Sequence, residues 1–281
     1  MMSSWQPSAS LRALQARAEG LAQIRAFFAQ RGVLEVQTPV LGSQTVTDPN
    51  VESIPVPGYG FLQTSPEYFM KRLLVADCGD CYQMGPAFRH EENGRLHNTE
   101  FTLLEWYRLG FDDRQLMDEV AQLCDLVLGR ASYQRLTYAD LVGGDLALPA
   151  EELDLKFMLA CEALPDGRFF ITDYPAEQAA LARIRPEGEA VAARFELVID
   201  RIEVANGYWE LAEAAEHRRR FAQDRLQRQR QGKSLPDVDL EFLAALDHGL
   251  PDCAGVAIGV DRLMMLAYQA STIDEMLAFR G

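Results

Sequence analysis

The stretch Phe88-Arg89-His90-Glu91-Glu92-Asn93-Gly94-Arg95-Leu96-His97-Asn98-Thr99-Glu100-Phe101-Thr102-Leu103-Leu104-Glu105-Trp106-Tyr107 decides how the chain is read. Gln83 to Phe88 and Phe101 to Tyr107 are apolar and aromatic, and a polar segment separates them, so the spacing predicts a long hairpin with a charged tip. In the returning strand a period of two puts Phe101, Leu103, Glu105 and Tyr107 on one face. A carboxylate and a phenol then share a side with apolar groups, and a half-buried carboxylate needs a partner there. Arg89 and Arg95 are guanidiniums able to grip phosphate oxygens, and Glu91 and Glu92 are acceptors for an amine or a base edge. The same four residues also read as surface ion pairs, and the hairpin alone does not choose.

Two segments further along carry chemistry of the same kind. Glu203-Val204-Ala205-Asn206-Gly207-Tyr208-Trp209-Glu210-Leu211 sets two carboxylates and an amide around a glycine. That suits a hard cation bridging to phosphates or a substrate ammonium, or simply a strand running into an acidic helix. Gly255-Val256-Ala257-Ile258-Gly259-Val260-Asp261-Arg262-Leu263 passes from a glycine-bearing strand into an apolar helix. Glycines let a ligand lie against the backbone there, and Arg262 opens the helix where its dipole favours anions.

Outward from these, apolar residues at Leu11, Leu14, Ala18, Leu21, Ile24, Phe27 and Phe28 predict a helix to Arg31, stopped by Gly32. Val33 to Pro39 reads as a short strand and 40 to 63 as a loop with small strands. Ser65-Pro66-Glu67 opens a helix to about Ala76, with Ser65 as its cap. Helices are expected at Asp113 to Gly129, Leu153 to Ala163 and 210 to 231, and strands at Phe169 to Thr172 and Arg194 to Ala205. Hairpins flanked by helices, without βαβ alternation, predict an α+β fold with an antiparallel β-sheet flanked by helices. With no internal repeat and no low-complexity linker, 1–281 reads as a single domain.

Composition removes several function classes. The chain has 281 residues, 48% of them hydrophobic and 25% charged, as in a globular protein. Its 27 Lys and Arg stand against 42 Asp and Glu, a net charge of −15, which opposes a sequence-independent grip on nucleic acid. The one concentrated basic region, His217 to Lys233, reads as a solvated helix face or as a docking strip for an acidic protein. No uncharged apolar run is long enough for a bilayer and the start has no signal-like core, so a cytoplasmic protein with no membrane partner is expected. Cys78 and Cys81 lack the further ligands of a zinc site. Gly232-Lys233-Ser234 follows Gln227 where a phosphate loop demands Gly, and neither a dinucleotide fingerprint nor a metalloprotease signature is complete.

Taken together, Gly32-Val33-Leu34-Glu35-Val36-Gln37-Thr38-Pro39, the hairpin that carries Arg89, and Gly255-x-x-x-Gly259-Val260-Asp261-Arg262 resemble motifs 1, 2 and 3 of class II aminoacyl-tRNA synthetases. They occur in the required order across nearly the whole chain. Within the class the chain is most similar to the lysyl type, through Thr64-Ser65-Pro66-Glu67 and the Glu203 to Glu210 segment. It departs from the family at Thr99, usually Pro, and at His90, often Asn. Lysyl, aspartyl and asparaginyl enzymes carry an anticodon-reading barrel before motif 1, whereas about 30 residues precede Gly32 here and a helix uses them. With the net charge also set against tRNA, the chain resembles the stand-alone lysyl-synthetase paralogues that attach (R)-β-lysine to a lysine of translation elongation factor P. Ala257, where lysyl-tRNA synthetases usually have Gly, fits that branch.

The resemblance implies ATP and Mg²⁺, a diamino acid (β-lysine or lysine), elongation factor P as protein substrate, no need for tRNA, and a homodimer built on motif 1. It implies carboxylate attack on the α-phosphorus of ATP, with Arg89 holding the α-phosphate and Arg262 the γ-phosphate as the catalytic pair. Adenine would lie between Phe101 and Arg262, with Glu91, the backbone near His90, and Asn98 around it. Glu203, beside Val204, would be the Mg²⁺ ligand, and Gly259 would let the nucleotide lie close. Glu67 and Glu210 would take the two ammonium groups, with Tyr107 alongside, Ser65 and Pro66 shaping the floor, and Ala257 in the wall. A tRNA-charging truncated synthetase and a non-catalytic paralogue are the alternative readings.

Overall fold

In the computed structural model, which describes residues 5–90, 93–144, 146, 148–186 and 190–280, the strands fall into a large sheet and a small one. The strands are β1 Leu34–Glu35, β2 Leu41–Gly42, β3 Pro55–Val56, β4 Gly60–Leu62, β5 Cys81–Phe88, β6 Glu100–Leu109, β7 Tyr133–Thr137, β8 Arg168–Pro175, β9 Val191–Ile199, β10 Ile202–Trp209 and β11 Cys253–Gly259. The helices are α1 Leu11–Ala29, α2 Glu67–Val75, α3 Asp113–Leu128, α4 Tyr138–Val142, α5 Ala150–Glu162, α6 Ala214–Arg230, α7 Leu240–Gly249 and α8 Val260–Tyr268. The large sheet runs β1-β5-β6-β11-β10-β9-β8-β7, and only its edge pairs β1/β5 and β7/β8 are parallel. This is the antiparallel sheet flanked by helices that the hairpin pattern predicts. No described helix is long and apolar enough to cross a membrane.

Strand alternation gives the sheet two unlike faces. On the back, Tyr82, Leu104, Trp106, Ala254, Val256, Ile258, Phe195 and Leu197 pack with Ile24 and Phe28 of α1, Leu116 and Val120 of α3, and Leu263 and Met264 of α8. Phe28 stacks on Tyr82 at 4.3 Å and meets Trp106 edge-on at 5.3 Å. Each such fully buried side chain contributes about 1.5–3 kcal/mol of transfer free energy. Ser10 caps α1 by accepting from the Ala13 amide, and Asp112 and Gln115 form a capping box on α3.

The front face holds the polar groups, and the ladders align them. Gln83, Glu105, Ala257, Asn206 and Glu196 form one row across β5, β6, β11, β10 and β9, and Cys81, Tyr107, Gly255, Tyr208 and Arg194 form the next. Helices α2, α6 and α7 cover one side of this face through Tyr68, Phe221 and Phe242, and α4 and α5 cover the other through Tyr138 and Phe157, which pack on Tyr174 of β8.

The structure departs from the sequence expectations in a few places. Arg194 to Ala205 is not one strand: Asp200 and Arg201, at φ 48° and 67°, form a tight turn between β9 and β10. Asp200 suits such a turn, but Arg201 stands where Gly usually follows, so the signal is weak. Helix α2 starts at Glu67 with Pro66 as N-cap, and the Ser65 hydroxyl just before it still accepts from the Glu67 amide at 3.0 Å while donating to the site below. Val33 to Pro39 contributes only the two residues of β1. Helix α6 starts at Ala214, which leaves Glu210 beyond the end of β10, on the sheet. The sequence pattern does not predict β7, α4 or α7.

Candidate active site

Helix α2 brings Glu67 and Lys71 one turn apart at the edge of the front face. Lys71 is fully buried, and its Nζ donates to Glu67 Oε1 at 2.6 Å and pairs with Glu210 Oε2 at 2.6 Å. Glu210 is carried past the end of β10, where its amide still donates to the Cys253 carbonyl. Glu105, at 3% exposure, accepts from the Tyr107 hydroxyl at 2.7 Å and from the Ser65 hydroxyl at 2.6 Å. Ser65 in turn accepts from the Glu67 amide at 3.0 Å. Gly255 makes this convergence sterically possible: a Cβ there would lie 2.3 Å from Tyr107 Cε1 and 2.5 Å from Glu210 Oε1.

The electrostatics of this pocket are unbalanced. Burial, reinforced by the charge of Glu67, pushes Glu105 up to about 7, against the hydrogen bonds from Ser65 and Tyr107. Burial also pushes Glu210 up to about 8, opposed by Lys71 and aided by Glu67 and Glu105. Burial pulls Lys71 down, but the charges of Glu210 and Glu67 outweigh it and hold its ammonium well above the ordinary value. With all three carboxylates ionised, the form a cationic guest requires, they stand against one ammonium and leave a formal charge of −2 around it. An uncompensated buried charge is costly, so a cationic guest stabilises the pocket.

Further along the same face stands the hairpin. The Arg89 amide donates to the Thr99 carbonyl, and the guanidinium lies 5.1 Å over the Phe101 ring. The His90 amide donates to the Glu52 carbonyl at 2.8 Å, its side chain being exposed, and Asn98 is buried with Nδ2 on the Glu100 carbonyl. Glu91 lies outside the described residues. Arg262, three residues past Gly259, donates Nε to the Leu96 carbonyl and Nη1 to the Glu203 carbonyl, and contacts His97 Nε2 through Nη2. Its Nη1 is 3.6 Å from the Glu203 carboxylate. Asp261 fixes the start of α8, accepting from the Thr102 amide at 2.8 Å and pairing with Arg17 at 2.6 Å. Arg89 thus leans on Phe101, whereas Arg262 is tied to Leu96 and His97 of the same hairpin. The Val204 side chain is buried in the back core, so only its main chain can reach a ligand. At Gly259 an added Cβ would meet only Arg262, at 3.8 Å, so the place is open.

Oxygen-bearing side chains stand near this arginine, with Glu196 Oε1 paired to Arg194 at 2.6 Å. Glu196 is buried, accepts from Asn206 Nδ2 at 3.3 Å, and is held above the ordinary carboxylate range by burial and by Glu203, against Arg194. Asn206 Oδ1 is buried without a hydrogen-bond partner. Glu203, Glu196 and Asn206 offer hard oxygen donors, the kind Mg²⁺ takes. Among the described residues no group of three or more His, Cys, Asp or Glu side chains could hold a metal ion alone, so phosphate oxygens would complete the coordination.

With this geometry in place, comparison with known proteins is informative. Residues 4–280 match the family described as tRNA synthetases class II (D, K and N). The chain is similar to the elongation factor P–(R)-β-lysine ligase of Vibrio vulnificus strain YJ016, at 45% identity over 99% of this chain and 98% of that protein. It is 44% identical to the like-named protein of Vibrio cholerae, with the same coverage, and 43% identical to that of Yersinia enterocolitica over 98% of this chain and 97% of that one. The chain belongs to the class II tRNA synthetase family. Of the residues that motifs 1 to 3 and the segments between them nominated, Ser65, Glu67, Tyr107 and Glu210 meet in one pocket, Pro66 caps the helix that bears Glu67, and Ala257 lies between Glu105 and Asn206. Arg89 meets Phe101, and Arg262 meets Glu203.

Lys71, His97 and Glu196 are not marked as site residues by the sequence, and Glu105 and Gly255 stand out in it without a role in the amino-acid pocket. Glu105 shares a strand face with Tyr107, and Lys71 stands at i+4 from Glu67, so both had a periodic signal. Glu196 carries no comparable signal, because the pattern of 194–205 reads as one strand whereas the chain turns at Asp200 and Arg201. The basic helix α6 is largely consumed internally: Arg218 pairs with Asp247, Arg219 and Arg220 with Glu216, and buried Arg228 with Glu52. Burial pushes His217 on its inner face down to about 3, so that ring is neutral.

Proposed function

We propose that this chain uses ATP and Mg²⁺ to activate (R)-β-lysine, or lysine, as an aminoacyl adenylate and transfers it to the ε-amine of a lysine on elongation factor P. The names of its end-to-end relatives support the acceptor. The observation that carries the amino-acid substrate is the buried pocket of Glu67, Glu105 and Glu210 around Lys71, whose residual charge of −2 matches a guest with two ammonium groups.

In the first step a substrate carboxylate oxygen attacks the α-phosphorus of ATP; a C–O–P linkage forms, the bond to the β-phosphate bridging oxygen breaks, and pyrophosphate leaves. No proton need move, so positioning and charge neutralisation are what the protein supplies. Arg89 serves the α-phosphate and Arg262, with His97, the departing end. Mg²⁺, when bound, would neutralise phosphate charge, and Glu203, Glu196 and Asn206 would hold it. In the second step the neutral ε-amine attacks the activated carbonyl, the C–O bond to AMP breaks, and the nitrogen gives up its proton to solvent.

The reading carries with it a single catalytic unit over 1–281 acting in the cytoplasm, where translation factors work, and no use of tRNA. A homodimer through the motif 1 edge is part of it, supported by exposed Leu34, Val40 and Leu41. Intact-mass spectrometry of elongation factor P after incubation with the protein, ATP, Mg²⁺ and each diamino acid tests it. The expected result is a gain of one lysyl residue on the factor; an unmodified factor beside aminoacylated tRNA would overturn the choice of acceptor.

A further inference from the structure

Lys71 is an odd residue to bury. A lysine side chain gives up rotamer freedom and hydration in the interior, and an ion pair there seldom repays its desolvation, so its retention calls for a reason beyond stability. Its placement supplies one. Lys71 takes Oε1 of Glu67 and Oε2 of Glu210, which leaves the second oxygen of each acid outside the Lys71 contact, and Glu210 Oε1 lies against the bare backbone of Gly255. Glu67, at 17% side-chain exposure, faces the opening of the pocket, whereas Lys71 at 0% cannot itself meet a guest. The ammonium therefore does two things at once. It fixes the rotamers of two acids from behind, and it lowers the pocket charge from −3 to −2.

Resting on the function proposed above, we infer that Lys71 is a positioning residue that sets the charge of the guest the pocket accepts. With Lys71 present, a diammonium guest neutralises the site. A monoammonium guest leaves a carboxylate unpaired in a buried place and is rejected. Without Lys71 even the diammonium guest leaves one negative charge over, and Glu67 and Glu210 lose the contact that aims them.

A charge-compensation cycle on the full chain tests this. The readout is amino-acid-dependent ATP–pyrophosphate exchange with whichever diamino acid the parent prefers. Lys71→Met raises the KM for the amino acid about 10–100-fold, with the KM for ATP and kcat changed far less, because a charge-assisted contact is lost from the amino-acid pocket alone. Glu67→Gln, which removes one negative charge and keeps an acceptor oxygen, also raises that KM. Lys71→Met combined with Glu67→Gln returns the pocket to −2, and its KM falls below that of either single variant. A purely structural lysine would lower the melting temperature without such compensation. The inference is overturned if Lys71→Met leaves the KM within about twofold of the parent, or if the double variant is no better than the single ones. Should Lys71→Met alone fail to fold, the comparison of the charge-balanced double variant with Glu67→Gln decides in the same way. A parent without diamino-acid-dependent exchange refutes the proposed function itself, whereas an active parent with a flat cycle refutes only the role of Lys71.

Discussion

Replacing Gly255 by alanine probes the pocket at its tightest point. The backbone there is ordinary strand, so alanine is conformationally acceptable and by itself would stabilise by about 0.4–1 kcal/mol through the unfolded state. The added methyl, however, would sit 2.3 Å from Tyr107 Cε1, 2.6 Å from its Cδ1 and 2.5 Å from Glu210 Oε1. Comfortable carbon contacts are about 3.5–4.0 Å, so the ring must retreat by roughly 1 Å or more. Tyr107 is 2% exposed and packed among Tyr68, Phe221 and Cys81, which makes retreat an overpacking problem of about 1–3 kcal/mol. Retreat also draws the phenol from Glu105 and pushes Glu210 away from its guest, a loss of about 1.5–3 kcal/mol for a charge-assisted bond. The KM for the diamino acid should therefore rise about 10–100-fold in pyrophosphate exchange, with a melting temperature lower by about 2–6 °C. An unchanged KM together with an unchanged or higher melting temperature would refute the packing argument.

Other consequences follow from the same geometry. Glu105 and Glu210 are raised to about 7 and about 8 in the empty pocket, and a cationic guest needs them ionised, so binding below pH 8 releases protons. The KM for the amino acid should fall between pH 6 and pH 8, by up to about tenfold per unit for each proton released, and a flat profile would contradict the assignment. The sign also governs stability: acids raised above their unfolded values favour the empty protein at low pH and lose that contribution as pH climbs through 7 to 8, and saturating amino acid reverses the slope in thermal melts. Arg262→Ala should raise the KM for ATP about 10–100-fold and leave that for the amino acid within a few-fold, which nucleotide titrations of the exchange reaction would show. Arg228→Met removes donors from the carbonyls of Asp48 and Ser234 and from Glu52, and should cost about 3 kcal/mol and 6–12 °C by calorimetry.

The long hairpin and the strand-to-helix unit at Gly255 were legible because their signals are local. Alternation in 101–107 set the face that bears Glu105 and Tyr107, and the dipole argument placed Arg262 correctly at a helix start. What the sequence could not show was convergence across distant segments. Lys71 bridges Glu67 to Glu210 only because α2 packs beside the β10 end, and Glu196 reaches Asn206 only through a turn at Asp200 and Arg201 that lacks the usual Gly. The arginines of α6 were legible only in part: Arg218 and Arg219 are exposed, as on a solvated helix face, whereas Arg220 and Arg228 are buried. Their clustering in sequence reads as a basic strip, but Glu216 on the same helix pairs with Arg219 and Arg220, and Asp247 and Glu52 arrive from elsewhere in the fold to take Arg218 and Arg228.

A crystal structure of the protein with a non-hydrolysable sulfamoyl analogue of lysyl or β-lysyl adenylate bears on the whole account at once. It should show both ammonium groups within hydrogen-bond distance of Glu67, Glu105 and Glu210, Lys71 unmoved behind them, and the phosphate mimic beside Arg89 on the Arg262 side of the hairpin. A ligand whose distal ammonium points into solvent, or arginines that face separate cavities, would contradict it.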